Sequence, residues 1–117
     1  METLNVYSQA EQLLAAAREE MMRPEEDIVP YLVCENCHLA IADYLKGYLI
    51  NAGVNFSREA ELKELLDLVT QRDRKFGELN QSFVQHPKDT DDYWMNINRA
   101  QDYLKLAEKT QLMVRPI

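Results

Sequence analysis

The chain has 117 residues, 46% hydrophobic and 28% charged, a balance that fits one globular domain over residues 1–117 and excludes a wholly disordered chain. Thirteen basic against twenty acidic side chains give a net charge of −7, so the mean field repels polyanions and disfavours nucleic acid as a partner. Only three glycines and four prolines interrupt a chain rich in Leu, Ala, Glu, Lys and Gln, which favours long helices over short strands.

The opening METLNVYSQAEQLLAAAREE has neither a basic leader nor an unbroken apolar run. No signal peptide or membrane span is expected, and the cytoplasm is the expected location. Leu4, Tyr7, Ala10, Leu14, Ala17 and Met21 recur at steps of three and four, predicting an amphipathic helix over 4–22. Arg23-Pro24-Glu25-Glu26-Asp27 breaks it. A long central helix over 28–52 follows, with Asp27 as the expected cap, Pro30 in the first turn and Gly53 as the left-handed stop. Gly47, in mid-helix, where glycine costs about 1 kcal/mol relative to alanine, predicts close packing against another backbone ahead of simple tolerance in a well-packed helix.

Ser57 is the expected cap of a third helix reaching about residue 71, with Leu62, Leu65, Leu66 and Val69 inward. A shorter helix is expected over 73–84, anchored by Phe76, Leu79 and Phe83, with Gly77 weakening it. His86-Pro87-Lys88-Asp89-Thr90 breaks the chain again. Thr90, Asp91 and Asp92 then suit the positive end of a last helix that turns Tyr93, Ile97, Ala100, Leu104 and Ala107 inward. No repeat and no strand-period segment competes. The expected fold is all-α, an antiparallel up-and-down four-helix bundle with one additional short helix.

Within the central helix stands Cys34-Glu35-Asn36-Cys37-His38, the spacing at which c-type haem is attached. Haem attachment would require export, for which no signal is expected. On a helix, Cys34, His38, Ile41, Leu45 and Ala52 lie near one line, flanked by Tyr31, Cys37, Tyr48 and Leu49, so the thiols fall on an apolar face that a bundle buries. A redox pair would want its first thiol at the helix start, and Cys34 sits about a turn too deep. Zinc would need Cys34, Cys37 and His38 with His86 as fourth ligand, without the paired turns of structural sites. A disulfide does not suit a straight helix at this spacing. The expectation is two buried thiols, with no cofactor and no metal.

The stretch YLVCENCHLAIADYLKGYLINAGVNFSREAELKELLDLV, residues 31–69, resembles the core of the HEPN superfamily: a long helix with an acidic-to-Lys turn near its end, a Gly break, then a Leu-rich helix. Asp43, Lys46, Leu49 and Gly53 stand at the pattern's polar, Lys, Leu and Gly positions, and the flanking helices agree in number and order. Ribonuclease members of that family carry an Arg and a His separated by four to six residues, the guanidinium to hold phosphate and the imidazole to handle a ribose proton. Here the positions that would hold Arg ahead of His86 are Leu79, Asn80 and Gln81. Ahead of His38 they are Tyr31, Leu32 and Val33, and after Arg99 the His positions hold Leu104, Lys105 and Leu106. The resemblance therefore implies a catalytically silent bundle, not an enzyme.

Silent members of that family commonly form homodimers or pair with a nucleotidyltransferase-type partner, which makes Tyr44, Tyr48, Tyr93, Trp94 and Tyr103 candidate contact residues. The alternative expectation is a nucleotide or small anion held between helices by Lys46, Arg72, Arg74, Lys75 or Arg99. A second alternative is a ribonuclease with a non-standard site using His86.

Overall fold

The computed structural model describes residues 2–57, 59–79 and 97–114. Among the described residues the fold is carried by α1 (Glu2–Met21), α2 (Pro30–Asn51), α3 (Leu62–Arg72) and α4 (Ile97–Val114), with 3-10 turns at Glu25–Asp27 and Arg74–Phe76. No strand occurs among the described residues. The all-α bundle expected from the sequence is the fold observed.

The centre is α2, on which α1, α3 and α4 all pack. Its buried residues include Val33, Cys34, Cys37, Ala40, Ile41, Tyr44, Leu45 and Leu49, a broader apolar arc than one partner helix could cover. The Tyr7 ring of α1 lies tilted beside that of Tyr44, with centroids 6.3 Å apart, while Arg18, three turns on, lies near Cys37, so α1 and α2 are antiparallel. Arg18 also bonds Glu108 at 2.9 Å and Glu11 accepts from Gln111 at 2.8 Å, so α1 and α4 are antiparallel too. Helices α2 and α4 consequently run the same way, as an up-and-down order of four long elements demands. On α1, Ala10, Leu14 and Ala17 are buried as predicted, with Tyr7 and Met21 packed at the edge.

Helix starts differ from the sequence reading. Asp27 does not cap α2; it belongs to the 3-10 turn, and the N-cap position is Val29. The Val29 N–H instead donates to the Glu20 carboxylate at 2.9 Å, so the preceding helix supplies the acceptor. Ser57 does not open α3. Its hydroxyl accepts from the Glu59 N–H at 3.2 Å within a local turn, and the helix begins four residues later with Glu61 at the N-cap position. The end of α2 is as predicted: Gly53 takes φ 74, with Val54 N–H donating to Leu49 O at 2.9 Å and Gly53 N–H to Ile50 O at 3.1 Å, the paired bonds of a Schellman stop.

The segment expected as a fourth helix opens as a 3-10 turn, because the Asp73 carboxylate accepts from the Lys75 N–H at 3.1 Å. Phe76 and Leu79 are its buried anchors, as expected. Phe83, Tyr93, the Thr90 start and His86 lie outside the described residues. On α4 the inward row is Ala100, Tyr103, Ala107, Thr110 and Val114, while Ile97 and Leu104 sit at its edge. The steps of three and four start from Ala100, which turns Tyr103 rather than Leu104 to the core.

Candidate functional site

The two thiols are where the apolar face put them. Cys34 and Cys37 are free, wholly buried and part of the core on α2. Burial pushes both thiols from an ordinary 9.0 up to about 12; for Cys37 the Cys34 and Glu108 charges add to the rise and Arg18 opposes it. Such groups are poor nucleophiles and poor metal ligands at neutral pH. Among the described residues no three His, Cys, Asp or Glu side chains are grouped to hold a metal.

A thiol reagent should therefore label neither cysteine in folded protein at pH 8 and both after denaturation, and rapid native labelling would contradict this packing. The linked pH effect has a definite sign. A raised folded-state pKa stabilises the fold fully below 9.0, and that stability is lost as pH climbs from there toward about 12. Urea midpoints should fall over that window.

The candidate aromatic contacts divide. Tyr44 and Tyr103 are each 1% exposed, so they serve the core and not a partner surface; the sequence expectation is corrected for both. Tyr44 stands where α1, α2 and α4 meet, and burial, then the Glu11 carboxylate, holds its phenol well above the usual range. Tyr48 is half-buried and meets Phe76 edge-on with ring centroids 5.0 Å apart. Tyr93 and Trp94 lie outside the described residues.

The basic candidates do not converge on one pocket. Arg72, Arg74 and Lys75 are exposed around Asp73, to which Lys75 is paired at 3.8 Å. Lys46, on the outer side of α2, lies beside Asp43, whose carboxyl is raised by burial and lowered in turn by that ammonium. Arg99 pairs with Asp102 at 3.8 Å near the start of α4. Lys109 reaches across to Glu78, beside the 72–76 segment, and stands ten residues beyond Arg99, about 15 Å along the helix. Arg99 is thus at the other end of the bundle from Arg72, Arg74 and Lys75. A shallow groove of about 450 Å³ between α1 and α2 is lined by Ala16, Glu19, Glu20, Arg23, Leu32 and Asn36, a rim with more acid than base.

One surface feature lies outside the sequence reading. Leu32 and Leu39 on α2 are 42% and 46% exposed, on the side of the helix away from Cys34 and Ile41. Their seven-residue spacing, continued by Lys46, was the signal available in the sequence.

An all-α bundle built around one long, broadly buried helix, with a Gly-stopped turn and a Leu-rich third helix, defines the class of protein. The family model described as HEPN domain matches residues 4–110, nearly the whole chain, and the chain belongs to the HEPN family. No curated protein and no solved structure is a significant match to it. No described helix is long and apolar enough to cross a membrane.

Proposed function

We propose that this HEPN domain is a non-catalytic interaction module that pairs with a second copy of itself, with a nucleotidyltransferase-type protein as a further partner. The observation that carries this reading is the contrast between its polar and apolar groups. The basic side chains that could grip a phosphate are divided between the two ends of the bundle, and Lys75 and Arg99 are already paired to acids, whereas α2 presents leucines to solvent. The sequence also lacks the Arg and His spacing of the family's ribonucleases. An imidazole and a guanidinium at that spacing would supply proton transfer and charge stabilisation to an RNA backbone, so their absence from the sequence supports the non-catalytic reading.

Light scattering on the eluting protein should give the mass of a dimer, and a nucleotide panel should leave the melting temperature unchanged. A reproducible shift with a nucleotide would move the function to anion binding. RNA incubated with the protein in chelator should stay intact, and cleavage that vanishes in His86→Ala would make it a ribonuclease instead. Co-expression with a nucleotidyltransferase encoded beside it should yield a co-purifying complex if that partner is correct.

A further inference from the structure

We infer that the outer stripe of α2, centred on Leu39, is the surface on which a second copy of this chain docks antiparallel about a two-fold axis; this rests on the dimeric reading above and specifies its geometry. Leu32, Leu39 and Lys46 are seven residues apart, so they form one row with about 10.5 Å between successive members. At 100° per residue, Glu35 and Lys46 fall on one flank of the Leu32–Leu39 line, and Asn36 and Asp43 on the other. Glu35, Asn36, Asp43 and Lys46 are all partly exposed.

A two-fold axis perpendicular to α2 at Leu39 reverses the helix direction and keeps each flank facing its own kind. Leu39 then meets the partner's Leu39, and the stem of Lys46 covers the partner's Leu32. On the first flank, Lys46 is within about 4.5 Å along the axis of the partner's Glu35, an ammonium beside a carboxylate. On the second flank, Asp43 is within about 1.5 Å along the axis of the partner's Asn36, an acceptor beside an amide donor. Glu35 and Asp43 stand level across the seam, but on opposite flanks of the leucine row.

In the parallel alternative the two Lys46 side chains stand level at one end of the leucine row, whereas the antiparallel order sets them about 21 Å apart along the axis. Beside Asn36, the small Ala16 of α1 leaves the shallow groove described above, which lets the contact extend onto the first helix. The copy is favoured over an unrelated helix because one short row supplies both halves of each polar pair. A heterologous partner would have to reproduce that pattern by itself.

The test is the mass and dimer dissociation constant of the full chain by sedimentation, with circular dichroism as the check on folding. Leu39→Asp should be a folded monomer, since a side chain already half in water leaves the core untouched. Lys46→Glu and Glu35→Lys should each weaken the dimer at least about tenfold, and the double reversal should restore it. If Leu39→Asp loses helicity, the charge-reversal trio decides. A wild-type dimer indifferent to all four variants overturns this face and leaves the dimeric reading standing. A wild-type monomer, including one that captures only a different protein, overturns both.

Discussion

Phe76→Ala is expected to lower the unfolding free energy by about 3–5 kcal/mol, a large share of the roughly 5–15 kcal/mol that holds a domain of this size together. Phe76 has no exposed surface and packs edge-on to Tyr48 with centroids 5.0 Å apart. Its backbone sits in a 3-10 turn held by Asp73, where little intrinsic helix stability exists to replace the lost packing. Lys75 reaches over the ring at 5.3 Å, but that ammonium is largely in water, and its share is small beside the buried area. Urea unfolding followed by far-ultraviolet dichroism reads the loss. A cost below about 1 kcal/mol would mean that the α3 arm is not anchored through this ring.

The second large effect is at Gly47. A Cβ built there overlaps the ring of Tyr7, which lies across the α2 backbone at that point. Gly47→Leu should cost about 3 kcal/mol by forcing the ring, and with it the start of α1, away from α2. Gly47→Ala pits a helix-propensity gain of about 1 kcal/mol against the same overlap, and should be a net loss in the native background. In a Tyr7→Ala background the overlap is gone, and Gly47→Ala should become stabilising by up to about 1 kcal/mol. The reversal of sign is what a thermodynamic cycle would detect. Additive effects would show that the two residues do not share the space.

Much of this bundle was legible because apolar spacing is a local property. The stripe of Ala10, Leu14 and Ala17, the row of Leu62, Leu65, Leu66 and Val69, and the stop at Gly53 follow from helix geometry and from the one residue without a Cβ. Helix starts were less legible. Asp27 and Ser57 are good capping residues, yet Glu20 supplies the acceptor at Val29 and Ser57 closes its own turn. A cap is chosen by which acceptor the folded neighbours bring near, and spacing along the chain does not carry that information.

The candidate surface was the least legible part. A tyrosine is equally at home in a core and in an interface, so composition could not separate Tyr44 and Tyr103 from contact residues. Their burial follows from where α1 and α4 close over α2.

By itself, then, the sequence determined that the chain forms helices, most of the residues that α1 and α3 turn inward, and that the thiols of Cys34 and Cys37 go inside. Periodicity and residue chemistry act over a few residues and need no neighbour to be read. Only the tertiary structure decided that Gly47 makes room for a ring rather than a backbone, that Arg99 is separated from the basic cluster at residues 72–75, and that Leu32 and Leu39 are left exposed by the chain's own helices. Each of those depends on how many helices surround α2 and on which side they leave open. That is settled by the joint packing of elements far apart in the chain.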